Sequence, residues 1–206
     1  VAEHVYGLKD GKGKNTFVYR THDYPDPEKV ETFSHYAKRF GHELHTDENR
    51  ISKSINLLVE EIQGKPEENV LQKLAIRSMA KAKYTTSADI HFGLAFQHYT
   101  HFTSPIRRYP DMMVHRLLQH YLQSDNPVKP DIYEEHCHHS SDMEKRAAEA
   151  ERASIKFKQV EFMRDAEDKD YEGVVAGVTE WGVFVEIVET KCEGMIRMAD
   201  LDDDFY

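Results

Sequence analysis

Residues 99–118 read YTHFTSPIRRYPDMMVHRLL, and this segment is the most informative part of the sequence for both fold and function. Pro105 and Pro110 stiffen its first half, because each proline fixes its own φ angle and favours an extended conformation in the residue before it. Pro110 also suits the first turn of a helix. The N–H groups there have no partner within the helix, so the missing N–H of proline costs no hydrogen bond. The apolar residues that follow recur at three- and four-residue spacing, which predicts a helix whose buried face is formed by Met113, Val114, Leu117, Leu118 and Tyr121.

The same segment is rich in side chains that can bind phosphate. They are His101, Ser104, Arg107, Arg108, Tyr109 and Arg116. A guanidinium group offers paired donors to a phosphate and keeps its charge at any working pH. The two adjacent arginines are therefore expected on a short, stiff arm anchored to a packed helix. The alternative is a solvated charge pair, or a structural ion pair with Asp111.

A longer run, HFTSPIRRYPD at 101–111 followed by VHRL at 114–117, resembles the signature of the ribonuclease II / ribonuclease R family of 3′-to-5′ exoribonucleases. Within that family it is closer to ribonuclease R. The resemblance implies hydrolysis of single-stranded RNA from its 3′ end to nucleoside monophosphates. It implies that Arg107 is catalytic and stabilises the charge on the scissile phosphate. It also implies that RNA passes along the neighbouring side chains of His101, Ser104, Arg108, Tyr109 and Arg116.

The chain before this segment is predicted to be mostly helical. An acidic cap, a proline in the first turn and a further acid at 26–28 indicate the start of one helix. Three apolar stripes at helical spacing, at 30–40, 51–62 and 70–79, are expected to face the core. Short strands are predicted at 17–20 and 91–96, and Asp10-Gly11 is a hairpin signal.

A long helix is predicted from about 140 to 168. Glu144 is placed for a capping box with Ser140 or Ser141. The inner stripe would permit close approach to another helix and consists of Met143, Ala147, Ala150, Ala153, Phe157 and Val160. Ala150-Glu151-Arg152 resembles the family position of a glutamate that faces the active site, which implies a catalytic role for Glu151. Glu149 is the alternative, because the alignment can slip by two residues; both could also be ordinary solvated glutamates.

Alternating residues and glycines after residue 170 predict three short strands, at 171–178, 182–188 and 193–197. This pattern resembles the start of an S1-type OB fold, an RNA-binding module. Trp181 and Phe184 occupy positions where that module presents aromatic rings to bases, and such stacking contributes about 1–3 kcal/mol per base. Arg197 is a candidate phosphate contact. The alternative for Phe184 is core packing, because alternation alone does not tell which face is exposed.

The predicted fold class is therefore α+β. The resemblance implies that residues 1–168 form the C-terminal part of an RNB exoribonuclease catalytic domain, and residues 169–206 the first strands of an S1-type OB-fold domain. That second domain is expected to be incomplete, because an OB barrel needs five strands.

The resemblance implies a Mg²⁺-dependent enzyme whose metal-binding aspartates lie upstream of Val1. The partners it implies are single-stranded RNA and the N-terminal catalytic half and cold-shock-type domains of the same polypeptide. The chain alone is therefore expected to be inactive. No metal ligand is assigned within the chain: the histidines at 91, 98 and 101, the HCHH run at 136–139 and the aspartates at 202–204 lack the spacing of a zinc or an octahedral site.

Composition limits the remaining alternatives. The net charge of −10 argues against a broadly basic nucleic-acid surface, so RNA binding would be confined to one basic path. No apolar run approaches the ~20 residues of a membrane helix, and two distant cysteines favour reduced thiols in the cytoplasm. A non-catalytic RNA-binding fragment or degenerate paralogue is the main alternative. A DNA-binding helical protein would rest on Arg116 and its helix alone.

Overall fold

Helices dominate the computed structural model, which describes residues 1–8, 15–124 and 126–201. The α-helices are α1 (Ala2–Gly7), α2 (Pro27–Arg39), α3 (Glu48–Glu61), α4 (Glu68–Ser78), α5 (Tyr109–Gln123) and α6 (Asp131–Arg164). The strands are β1 (Tyr19–Thr21), β2 (Lys83–Thr85), β3 (Gly173–Thr179), β4 (Gly182–Ile187) and β5 (Glu193–Arg197), and short 3₁₀ helices lie at Phe92–Leu94 and Met198–Asp200. The chain forms two compact units, Val1–Glu144 and Lys145–Tyr206.

Helices α2, α3 and α4 share one hydrophobic core, as their apolar stripes predict. Asp26 caps α2 by accepting a hydrogen bond from the backbone N–H of Glu28 at 3.1 Å, and Pro27 occupies the first turn. Phe40 and Val70, however, are exposed at the edges of their stripes. The core of this region comprises Val30, Phe33, Ala37, Leu44, Ile51, Ile55, Leu58, Ile62, Leu71, Ala75 and Phe92.

Helix α5 packs in a second core of the same unit. Strands β1 and β2 pair antiparallel, with Arg20 opposite Tyr84. The predicted inner face of α5 is buried at Met113, Val114, Leu117 and Tyr121, whereas Leu118 is half-buried. These side chains join Ala2, Val5, Phe17, Val18, Tyr19, Tyr84 and Cys137. The segment that contains the arginines is therefore anchored to a packed helix.

The strand predicted at 91–96 is wrong, because the chain turns back on itself there. The His91 N–H donates to the Phe96 carbonyl at 2.8 Å, across a 3₁₀ turn that ends at Ala95 with φ of 55°. Gly93 allows this turn to approach His22: its N–H donates to His22 Nδ1 at 3.1 Å, and a Cβ atom at residue 93 would lie 2.8 Å from the same nitrogen.

Helix α6 begins at Asp131 instead of near Ser140. Pro130 accepts the N–H of Glu134 at 2.8 Å, and Asp131 and Glu134 place acidic groups in the first turn, so the start signal lies earlier than predicted. The predicted capping box is also wrong: Ser141 lies in mid-helix, where its Oγ donates to the Cys137 carbonyl at 2.9 Å.

The predicted inner stripe of α6 is not buried by the described chain. Met143, Phe157 and Val160 are all exposed. The expected close packing against another helix is therefore absent from the ranges that the structure describes.

Strands β3, β4 and β5 form one antiparallel sheet in the second unit, as predicted. Phe184 lies opposite both Gly177 and Met195, and a bulge interrupts the register between Val175 and Gly177. Gly182 is required at its position, because a Cβ atom there would fall 2.2 Å from the Ile196 carbonyl oxygen.

Within residues 1–8, 15–124 and 126–201, no helix has the length and apolar character needed to cross a membrane. The hairpin predicted at Asp10-Gly11 and the aspartates at 202–204 lie outside these ranges.

Candidate nucleic-acid interface

Residues 99–108, the signature arm, are tied to the core at both ends. At the start, the Arg20 N–H donates to the Tyr99 carbonyl at 2.8 Å, and Thr100 Oγ1 donates to the Val18 carbonyl at 2.7 Å. Further along, His115 of α5 donates from Nε2 to the Phe102 carbonyl at 2.8 Å, and the two rings stack at 4.2 Å. The arm is thus joined to both β1 and α5.

Asp111 closes the turn that carries the two arginines. Its side chain is fully buried, and Oδ1 accepts both the backbone N–H of Ser104 at 2.8 Å and Nη2 of Arg108 at 2.9 Å. The backbone N–H groups of Arg107 and Arg108 both point to the Ser104 carbonyl, at 3.3 and 3.0 Å. A buried carboxylate is stable only when it is paired and hydrogen-bonded, so the geometry of this turn depends on Asp111.

The two adjacent arginines have different environments. Arg108 forms the ion pair with Asp111 that the sequence left open as an alternative, and only 23% of its side chain is exposed. Arg107 is exposed, with Nη2 3.5 Å from Ser104 Oγ. Ile106 beside it is fully exposed. Arg107 is therefore the arginine that the arm presents to solvent, and contact between Arg108 and RNA stays a prediction.

His101 lies in a polar network that the sequence did not indicate. Its Nδ1 is 2.8 Å from the Tyr84 hydroxyl, and the Arg20 guanidinium lies 4.5 Å from the centre of the Tyr84 ring. Arg20 is held by Glu144 through two hydrogen bonds, of 2.6 and 3.1 Å. These contacts join residues far apart in sequence, and only the alternation along β1, which turns Arg20 away from the core, hints at them.

Burial and charge set the protonation of this network. Burial, followed by the nearby charges of Arg108 and Arg20, lowers the pKa of His101 to about 4. Burial raises the pKa of Tyr84 to about 12. At neutral pH both groups are uncharged, and the positive charge at the arm belongs to its arginines.

Tyr109 and Arg116 are both exposed on α5. The edge of the Tyr109 ring contacts His136 of α6, with ring centres 5.8 Å apart. The arm and the start of α5 thus bring together the predicted residues His101, Ser104, Arg107, Arg108 and Tyr109, with Arg116 further along the helix.

The other predicted residues lie in the second unit. Trp181 is 72% exposed in the turn between β3 and β4, and Phe184 is half-buried on β4. Arg197 ends β5, where Asp200 accepts two hydrogen bonds from its guanidinium, of 2.8 and 3.0 Å. Glu149 and Glu151 are both exposed on α6. The roles of these residues stay predictions.

The described residues do not fit a divalent metal ion. No group of three or more His, Cys, Asp or Glu side chains in those ranges is arranged to hold one. Glu134 lies 3.4 Å from His138 of the histidine-rich run and accepts hydrogen bonds from Thr85 and Thr86. Burial acts to raise the pKa of its carboxyl group, but these hydrogen bonds and His138 together lower it.

The chain is similar to ribonuclease R proteins of several bacteria. The RNB domain matches residues 1–124. Ribonuclease R 1 of Lactococcus lactis subsp. lactis (strain IL1403) is 39% identical over 196 residues, which cover 92% of this chain and 24% of that protein. Ribonuclease R of Aquifex aeolicus (strain VF5) is 39% identical over 192 residues, which cover 92% of this chain and 27% of that protein. The chain thus spans about a quarter of the length of these relatives.

Solved structures share the fold. Mycoplasma genitalium RNase R, solved in complex with ribose methylated single-stranded RNA, matches with a TM-score of 0.81 at 24% identity, over 99% of this chain and 33% of that chain. Yeast Ssd1, described as a pseudonuclease, matches with a TM-score of 0.72 at 25% identity, over 95% of this chain and 25% of that chain. These matches confirm the predicted α+β class. With the RNB domain covering more than half of the sequence, the chain belongs to the RNB-domain family.

Proposed function

We propose that this chain is part of a hydrolytic 3′-to-5′ exoribonuclease that degrades single-stranded RNA to nucleoside monophosphates. Membership of the RNB-domain family supports this proposal, as do relatives named ribonuclease R at 39% identity. The Mycoplasma genitalium protein, which shares the fold, was solved in complex with RNA, and this supports RNA as the substrate class.

Arg107 carries the proposal. It is an exposed guanidinium on a turn that is closed by a buried carboxylate, and its one hydrogen bond within the described residues is the long contact of 3.5 Å to Ser104 Oγ, so most of its donors are available to a ligand. A fixed fork of N–H donors matches the oxygens of a phosphate and stabilises the negative charge that develops on them during hydrolysis. Glu151 is the proposed second catalytic group, with Glu149 as its alternative.

The proposed RNA path runs along the signature arm and α5. His101, Ser104, Tyr109 and Arg116 would contact the backbone, and Arg108 would act mainly by bracing the turn through Asp111. In the second unit, residues 169–206 would belong to an S1-type OB-fold domain. There Trp181 and Phe184 would stack on bases and Arg197 would bind phosphate.

Divalent-metal dependence belongs to this proposal for the complete protein. The described residues lack a suitable cluster, so the Mg²⁺ ligands would come from the N-terminal catalytic half of a longer polypeptide. Cold-shock-type domains would be further parts of that polypeptide. The purified chain should accordingly bind labelled single-stranded RNA in the presence of Mg²⁺ without shortening it, and single-turnover degradation by the chain would overturn its proposed inactivity.

The central test is Arg107→Lys in the complete protein. Lysine keeps the charge but loses the fork of donors, so single-turnover cleavage at saturating enzyme should slow by about 100-fold while RNA affinity changes far less. Arg39→Lys, on the exposed end of α2, is the matched control and should leave both quantities unchanged. Equal losses of cleavage and affinity in Arg107→Lys would mean that Arg107 contributes to RNA binding alone and does not stabilise the transition state.

A non-catalytic RNA-binding protein is the second candidate function. The similarity to yeast Ssd1, a pseudonuclease, favours it specifically. If the complete protein binds single-stranded RNA but leaves it intact in Mg²⁺, this candidate replaces the first.

We place the protein in the cytoplasm within the same proposal. Cys137 and Cys192 are both free, buried thiols, which supports a reducing compartment.

A further inference from the structure

The contact between Tyr84 and His101 determines which ring nitrogen of His101 carries a proton. A neutral imidazole has one N–H donor and one acceptor, and the partner of one nitrogen decides the state of the other. His101 Nδ1 lies 2.8 Å from the Tyr84 hydroxyl. The phenol pKa is raised to about 12 by burial, so this hydroxyl keeps its proton across the working pH range and is available as a donor.

Arg20 favours the direction in which the hydroxyl donates. Its guanidinium lies over the Tyr84 ring at 4.5 Å, and a cation in that position draws electron density from the ring and its oxygen. The oxygen is then a better donor and a poorer acceptor. Two hydrogen bonds to Glu144 and a backbone bond to Tyr99 hold Arg20 there. Tyr84 O–H therefore donates to Nδ1, and the proton of the neutral ring lies on Nε2.

The groups that face His101 from each neighbouring element keep the ring neutral. Burial is the largest effect that disfavours the charged ring, and the positive charges of Arg108 in the arm and Arg20 in β1 add to it. Asp111 of α5 and Glu144 of α6 act in the opposite direction, but each already pairs with an arginine. Tyr84 of β2 and Tyr99, whose ring centre is 5.8 Å away, complete these surroundings.

Nε2 of His101 remains free to bind a ligand. His101 is half-buried, and Nε2 is not among the buried side-chain atoms that lack a partner in the described ranges. None of the described residues hydrogen-bonds to it either, so it is open to solvent. His101 is joined to the turn of Arg107 by the two residues before Ser104.

We infer that Tyr84 is a positioning residue, which holds His101 as the neutral tautomer protonated at Nε2 so that it donates an uncharged hydrogen bond to an oxygen of the RNA backbone. The inference rests on the proposed function for its ligand, whereas the tautomer follows from the contacts alone. His101 would then recognise the position of a phosphate or ribose oxygen without adding charge, and its contribution to RNA binding would stay constant from neutral pH down to about 5.

Nitrogen-15 NMR of the ¹⁵N-histidine-labelled 206-residue chain tests the tautomer directly. His101→Gln assigns the signals. In the unaltered chain we expect an unprotonated Nδ1, a protonated Nε2 and no titration until the pH approaches 4. A protonated Nδ1 at neutral pH would overturn the inference.

Tyr84→Phe should remove the preference of His101 for the tautomer protonated at Nε2, so the ¹⁵N shifts of its two ring nitrogens should move towards each other. Tyr121→Phe is the matched control, because Tyr121 and Tyr84 are equally buried, at 4% exposure, in the same core, and Tyr121 O–H donates to the Thr16 carbonyl at 2.8 Å. The control should lose stability without changing the His101 shifts. Equal changes in both variants would mean that Tyr84 acts only through packing.

Titration with single-stranded RNA tests whether His101 donates to RNA, and a parallel titration with DNA of the same sequence tests which oxygen accepts. RNA should shift the Nε2 signal of His101, and this shift should weaken in Tyr84→Phe but not in Tyr121→Phe. A shift with RNA alone would identify the ribose 2′-hydroxyl as the acceptor, and a shift with both strands a phosphate oxygen. RNA binding that leaves Nε2 unchanged would overturn the donor role of His101. No binding anywhere on the chain would overturn RNA binding as proposed above, while the tautomer result would stand on its own.

Discussion

The two compact units hold their candidate RNA-binding side chains in different ways. In the first unit, Arg108 and His101 are bonded to the buried groups Asp111 and Tyr84. In the second, Trp181 projects into solvent from a turn, and Arg197 pairs with the exposed Asp200. The arm is thus positioned by interactions that also stabilise the fold, whereas the sheet presents side chains that the fold does not require. Substitution of Asp111 should accordingly affect stability, whereas substitution of Trp181 should affect binding alone.

The largest effect is expected for Asp111→Ala. The change leaves the Ser104 N–H and the half-buried Arg108 without their acceptor, and removing one partner of a buried ion pair typically lowers the free energy of unfolding by about 3–5 kcal/mol. Urea denaturation of the chain measures it. Asp23→Ala, which breaks the exposed 2.9 Å pair with Lys83, is the control and should cost less than about 1 kcal/mol. Similar losses in the two variants would contradict a bracing role for Asp111.

Trp181→Ala should weaken RNA binding without destabilising the chain. Loss of one stacked base contact lowers the binding free energy by about 1–3 kcal/mol, equivalent to about 5- to 160-fold in affinity. A gel-shift titration with single-stranded RNA measures it. Phe162→Ala removes another exposed aromatic ring of the same unit and is expected to bind RNA as before. If both variants bind equally well, Trp181 is not part of the interface.

The low pKa of His101 should make the first unit less stable in mild acid. The unfolded chain binds this proton near pH 6.5, whereas the folded chain binds it only near pH 4, so the free energy of unfolding falls as the pH drops between these values. Urea denaturation across this range should show a weaker pH dependence for His101→Gln than for the unaltered chain. His35→Gln, on the exposed face of α2, should keep the original dependence. An unchanged slope in His101→Gln would show that His101 does not contribute.

Asp200→Ala should have the smallest effect. Its pair with Arg197 is exposed, so the free energy of unfolding should change by less than about 1 kcal/mol. The freed guanidinium should bind RNA slightly more tightly, by up to about fivefold, with a steeper dependence on salt. Asp165→Ala removes the same charge beside Arg164 and controls for the change in net charge. Equal gains in both variants would assign the effect to charge in general.

Sequence periodicity predicted the parts of this structure that depend on local pattern. The buried face of α5, the cap of α2 and the three strands of the second unit follow from residues close together in the chain. The position of Arg107 on a stiff arm could be anticipated for the same reason, because two prolines and a helix start lie within a few residues of it.

Contacts between distant residues could not be read in this way. Arg20 meets Glu144 across 124 positions, and Tyr84 meets His101 across 17, so no local pattern indicates either pair. The sequence also could not predict that Arg107 and Arg108 have different environments, because it left open which arginine would pair with Asp111. The turn at 91–96 could not be predicted from local pattern either, because Gly93 is needed there for the close approach of His22, a residue 71 positions away.

Each compact unit contains one buried free cysteine, Cys137 in the first and Cys192 in the second. Because both thiols are buried, opening of the surrounding unit should speed their alkylation, so the rate of alkylation at each site reports the opening of that unit. At Cys137 burial also raises the pKa of the thiol to about 12, which keeps the reactive thiolate scarce while the unit is closed. Mass spectrometry of the two labelled peptides would therefore follow the local unfolding of both units in one sample, without any introduced probe.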